Sequence, residues 1–140
     1  MDIPVLVLLL FAGWTLLSMV VTVGSYRWAR ILTGTNELVE FSEYRIEGRP
    51  WYKRALRAHA NCIENLPVYG AIVLAIIATG AGGAILDVLA VVFIIARVAQ
   101  TSVHVAFDHS NVAGATRFAF YLVQVICMVW MGIVVAGETI

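Results

Sequence analysis

The sequence predicts an all-α integral membrane protein, a bundle of four transmembrane helices. Three observations carry that expectation. Hydrophobic residues make up 61% of the 140 residues and charged ones 13%, whereas a soluble domain averages about 25% charged. The apolar residues gather into four long runs, and the mean hydropathy is +0.90. The charges gather too, mostly into two stretches between those runs. Basic and acidic side chains balance at nine each, so nothing in the charge points to nucleic acid as a partner. Cys62 and Cys127 both sit in apolar segments and form no disulfide framework. They read as small packing residues.

The first helix is expected over about 3–28. Ile3 to Gly24 is apolar and long enough for a crossing of ~20 residues. Only Asp2 precedes it, where a secretory signal would want a basic start and a shorter apolar region, so a retained helix is expected. Tyr26 and Trp28 mark a membrane interface, with Arg27 and Arg30 among them. Residues 31–50 form the long polar stretch. There Glu37, Glu40, Glu43 and Glu47 recur every three to four residues, as in a short amphipathic turn or a solvated loop.

The second helix is expected over 51–79. Its uninterrupted apolar run extends only from Leu66 to Ala78, short of the ~20 residues a crossing needs. The helix must therefore begin earlier and carry Arg57, Asn61 and Glu64 to membrane depth. These three fall at i, i+4 and i+7, on one face. Pro67 removes the hydrogen bond to the Ile63 carbonyl just beyond them. Thr79 to Gly83 is a tight turn.

The third helix, over about 84–107, is apolar from Ile85 to Ala96 apart from Asp87. Its later part carries Arg97, Thr101, His104 and Asp108 on one face, with Gln100 beside it. Asp108 to Thr116 reads as a loop. The fourth helix is expected over 115–137, with Arg117, Tyr121, Gln124 and Met128 along one face.

Arg27, Arg30, Arg45, Arg49, Lys53, Arg54 and Arg57 cluster around the first loop, and Arg97 and Arg117 flank the third. The termini and the middle turn carry only Asp2, Asp87 and Glu138. By the positive-inside rule the charged loops are cytoplasmic and both termini lie outside. This brings the polar ends of the last three helices to one level of the membrane. Ionisable groups at depth cost a few kcal/mol each, so they face a bundle interior or a cavity. The arginines outnumber Glu64, and such a cavity favours an anion. A zwitterionic peptide fits: arginines take its carboxylates, Glu64 its ammonium, and Asn61 an amide. A thiol on that ligand is activated by a nearby guanidinium.

The stretch Arg54-x-x-Arg57-x-His59-x-Asn61-Cys62-x-Glu64-Asn65-x-Pro67 resembles the MAPEG family, the membrane-associated proteins in eicosanoid and glutathione metabolism. Arg97-Val98-Ala99 and Arg117-x-x-x-Tyr121 fit the same pattern, and the similarity spans nearly the whole chain. The resemblance implies a homotrimer binding glutathione between subunits and using it on a lipophilic small molecule that enters from the bilayer. By motif position Arg57, Asn61 and Glu64 bind glutathione, Arg54 supports the entry, and Tyr121 lies against the ligand. Arg117 matches the arginine that stabilises the thiolate. A first-helix arginine, Arg27 or Arg30, also contributes in the family.

The chain departs from that pattern in places. Ala60 and Gln100 stand where some animal members carry arginine and histidine, and His104 where tyrosine is common. Phe118 follows Arg117 where one prostaglandin-synthesising branch has serine, and the loop from His104 to Arg117 is longer. These departures point away from eicosanoid substrates. Competing readings make the Arg57/Asn61/Glu64 stripe an interhelical clamp and Arg117 a topology anchor. A non-catalytic lipid or glutathione binder, and a small structural or transport bundle, are the rival functions. His59-x-x-Cys62 and His104/Asp108/His109 match no standard zinc spacing, so no metal is expected.

Overall fold

A computed structural model describes residues 2–34 and 49–140. Four helices account for nearly all of them: α1 (Ile3–Leu32), α2 (Pro50–Thr79), α3 (Ala84–Ala106) and α4 (Asn111–Thr139). Each is long and apolar enough to cross a membrane. No strand occurs among the described residues. The glutamate-bearing stretch from Glu37 to Glu47 lies outside them.

Proline starts two of these helices. Pro4 and Pro50 occupy first-turn positions of α1 and α2, where the missing N–H would have no intrahelical partner. Pro67 lies inside α2, which continues through it to Thr79. Gly80 then closes α2 in the left-handed region at φ 69°, and Gly83 opens α3 at φ 131°. Both φ values favour glycine, which lets α2 and α3 reverse within four residues.

Two boundaries differ from the sequence expectation. α4 begins at Asn111, because the Ser110 hydroxyl accepts a hydrogen bond from the Ala113 N–H at 3.1 Å and caps the helix. The expected loop from 108 to 116 thus shrinks to a short bend around Ser110. α1 runs on to Leu32, with π-helical turns over Met19–Gly24. A Cβ at Gly24 would sit 3.3 Å from the Met19 carbonyl oxygen, so glycine suits the widened turn. The hydroxyls of Ser18, Thr22 and Ser25 donate to carbonyls one turn back.

α1 packs on α2 and α3, α2 also on α4, and α3 most extensively on α4. The shared core centres on Phe11, Tyr69 and Phe93. The rings of Tyr69 and Phe93 stack at 4.4 Å, and Phe11 meets Phe93 edge-on at 5.3 Å. The Tyr69 hydroxyl donates to the Pro4 carbonyl, so this tyrosine is satisfied within the core. A second cluster holds the charged end, where Tyr26 stacks on Tyr52 at 4.1 Å beside Trp51. Tyr26, expected at the membrane interface, is buried there, while Trp28 remains exposed. Trp130 of α4 faces outward as well.

Only 17–39% of the most apolar window of each helix is covered by the rest of the chain. Leu9, Leu16, Leu74, Ile95, Ile126 and Ile133 are among the large side chains left on the outside. That surface is an integral, multi-pass membrane surface, with apolar residues outside as well as in.

Candidate functional site

The charged end of the bundle is where α1 finishes, α2 starts, α3 finishes and α4 starts. Along α2 the 3.6-residue period places Arg57, Asn61 and Glu64 on one side. They do not share one environment. Arg57 and Glu64 are exposed on the bundle surface, while Asn61 is partly covered against α3.

Asn61 borders an open hollow of about 290 Å³. Gln100 and His104 of α3 and Arg117, Phe118 and Tyr121 of α4 complete its lining. The structure therefore brings Asn61 of α2 together with Arg117 and Tyr121 of α4, two separate stretches of sequence. Arg117 and Tyr121 are one helical turn apart on α4, and this spacing turns both toward α3. The hollow is small for an enclosed ligand site, for which about 300–1,000 Å³ is usual. It is shallow and open to the outside of the bundle.

Beneath the hollow lies Arg97, only 1% exposed. Its Nη1 donates to Asn61 Oδ1, and its guanidinium carbon stands 5.2 Å from the centre of the Phe11 ring and 6.0 Å from that of Phe93. Two aromatic faces and one amide oxygen compensate a charge that would be costly without them. The Thr101 hydroxyl donates to the Arg97 carbonyl at 3.0 Å, so the Cys62 thiol is left as the donor in its 3.5 Å contact with Thr101. Cys62 is thereby accounted for as a packing residue.

The remaining expected residues lie elsewhere on this end. Arg54 donates from Nε to the Val105 carbonyl at 3.1 Å and from Nη1 to Asp108 at 2.6 Å. It clamps α2 to the end of α3. Arg27 donates to the Tyr52 hydroxyl at 2.8 Å. Arg30 stands over the Tyr26 ring and lines a separate hollow of about 440 Å³ with Arg49 and Trp51. Arg30, Arg54, Arg57 and Glu64 are thus absent from the lining of the Asn61–Arg117 hollow within one chain.

A family model described as MAPEG family matches residues 4–137. The chain belongs to the MAPEG family. Comparison with curated proteins and with solved structures gives no match. The MAPEG family is associated with glutathione in general, and it includes transferases, peroxidases and non-catalytic members.

In this MAPEG chain the residues that sequence reasoning undervalued are the two glutamines. Gln124 Nε2 donates to Gln100 Oε1 at 2.9 Å and also to the Phe120 carbonyl, and Gln100 Nε2 donates to the Arg117 carbonyl at 3.3 Å. The sequence marks Gln100 as a neighbour of the polar face of α3 and as a departure from the family pattern. The available signal was its position: an amide deep in an apolar helix needs a partner, and Gln124 is the fourth helix's matching amide.

Proposed function

We propose that this protein is a membrane-bound, glutathione-dependent transferase or peroxidase whose site is completed by a neighbouring copy in a homotrimer. The observation that carries the reading is the hollow at the charged end, where Asn61, Tyr121 and Arg117 meet. Arg117 supplies a cation, and Asn61 and Tyr121 supply further hydrogen-bond donors, a set that suits an anionic, carboxylate-bearing peptide.

The trimer accounts for what one chain leaves exposed. Arg57 and Glu64 stand on the α2 surface beside Asn61, and ionisable side chains at membrane depth are normally covered by protein. A second copy against this face shields them and closes the open side of the hollow. A carboxylate of glutathione then meets Arg57, its ammonium meets Glu64, and Arg54 supports the entry. Arg30 reaches glutathione only from an adjacent copy, because within its own chain it borders a different hollow. With the basic residues concentrated at this end, the site lies on the cytoplasmic side and both termini lie outside.

In the reaction the glutathione thiol releases its proton to solvent and the Arg117 guanidinium stabilises the resulting thiolate. The sulfur then attacks a lipophilic electrophile. For a carbon electrophile a C–S bond forms as the leaving group departs with its electron pair. With a hydroperoxide the sulfur attacks the terminal oxygen and the alcohol leaves, after which a second glutathione releases water and gives the disulfide. The bilayer concentrates the apolar partner by partitioning, so no large aqueous cleft is needed.

The test is conjugation of glutathione to a generic aryl halide by purified protein in detergent. Arg117→Ala is expected to abolish turnover and leave the oligomer intact. Unchanged turnover defeats the catalytic role of Arg117. Saturable glutathione binding without any turnover in the natural protein identifies a non-catalytic binder instead.

A further inference from the structure

A side-chain amide offers an acceptor oxygen on one branch and two N–H donors on the other, so its orientation decides what it can recognise. At Asn61 that orientation is set from beneath. A guanidinium has donors only, and Arg97 Nη1 donates to Asn61 Oδ1. The oxygen is therefore turned into the bundle, and Nδ2 is the branch left for the hollow that Asn61 borders. Arg97 is itself sealed: it is 1% exposed, lies outside the lining of the hollow, and its Nε and Nη2 are buried with no hydrogen-bond partner among the described residues.

The other amide bordering the hollow follows the same rule. The Gln100 oxygen accepts from Gln124, and Gln100 Nε2 is directed at the Arg117 carbonyl. Both amide oxygens at this site are thus engaged within the bundle. Arg117 adds only donors.

We infer that Arg97 is a positioning residue that fixes the Asn61 amide with its N–H branch toward the ligand, so that Asn61 donates to a ligand oxygen, a carbonyl or carboxylate, and rejects a donor at that place. Arg97 acts through Asn61 and touches no ligand. The inference rests on the glutathione reading for the identity of the ligand and not for the orientation of the amide.

The experiment measures KM for glutathione and kcat in detergent for Arg97→Met, Asn61→Ala, their double variant and Asn61→Asp. Arg97→Met is expected to raise KM for glutathione about tenfold, in the range for one hydrogen bond to a charged acceptor, with a smaller change in kcat. In the Asn61→Ala background the same substitution should change KM less than about twofold, since the residue through which it acts is gone. Independent, multiplying effects overturn the inference. Asn61→Asp keeps an oxygen for Arg97 but replaces the donor branch by a second oxygen. It leaves Arg97 in place if Arg97→Met fails to fold. It should weaken glutathione at least as much as Asn61→Ala, and natural affinity in Asn61→Asp overturns the inference.

If the natural protein shows no saturation by glutathione, the functional reading fails and the orientation is decided separately. The Asn61 side-chain NH2 resonances, assigned by their loss in Asn61→Asp, should shift in Arg97→Met. Resonances unmoved by Arg97→Met overturn the inference without reference to glutathione.

Discussion

Gln124 and Gln100 are joined by a 2.9 Å hydrogen bond between α4 and α3, with Gln124 fully buried and Gln100 nearly so. The bond matters to the site because Gln100 continues to the Arg117 carbonyl, so the two amides tie the start of α4 to α3. In an apolar bundle the alternative to such a bond is an unsatisfied amide, which is why polar pairs act as adhesive between membrane helices.

Gln124→Leu should therefore lower thermal stability in detergent by about 0.6–2 kcal/mol, the range for such bonds, because Gln100 loses the donor to its oxygen. The double variant Gln100→Leu/Gln124→Leu should cost less than the sum of the two single changes. Strict additivity in a thermal melt would show that the two amides do not act as a pair.

The pocket beside Asn61 makes a separate demand on α2. Arg57→Ala and Glu64→Ala should each raise KM for glutathione at least about tenfold, the cost of losing one charged hydrogen bond. Isothermal titration of the detergent-solubilised protein with glutathione checks the binding. Unaltered binding in both variants removes Arg57 and Glu64 from the site.

At the rim of the bundle, Arg54 makes two contacts of unequal worth. Asp108 is 91% exposed, so Asp108→Asn should change stability by less than about 1 kcal/mol, as for other solvated ion pairs. Arg54→Ala should cost more, since it also strips the Val105 carbonyl near the C-terminal end of α3 of its donor. Equal effects on the melting temperature would assign the whole interaction to the ion pair.

Phe11 has a double role, packing edge-on to Phe93 and offering its face to Arg97. Phe11→Ala should destabilise by about 3–5 kcal/mol through the cavity it leaves. Phe11→Leu keeps most of the volume but loses the ring face, and should cost about 1–2 kcal/mol. Chemical denaturation in mixed micelles separates the two, and a Phe11→Leu variant as stable as the natural protein would mean the ring face contributes nothing to holding Arg97.

The sequence by itself determined the architecture and the family. Four apolar segments, two of them reaching crossing length only with their polar ends included, leave few alternatives to a helical membrane bundle, because lipid offers no partner for an unpaired backbone. The short apolar run after Leu66 required Arg57, Asn61 and Glu64 to enter the membrane, and the spacing Arg117-x-x-x-Tyr121 fixed a shared face on α4. Periodicity stops at the surface of one helix, however, and only the tertiary structure decided which neighbour each polar residue meets. Arg97 and Asn61 are 36 residues apart, and nothing in either helix announces that one donates to the other's oxygen. The same holds for Gln100 and Gln124, and for Arg27 and Arg30, which close on Tyr52 and Tyr26 rather than on the hollow. Burial selects these pairs: a charge or amide removed from water takes the partner that packing brings within reach, and that partner is set by how the helices meet.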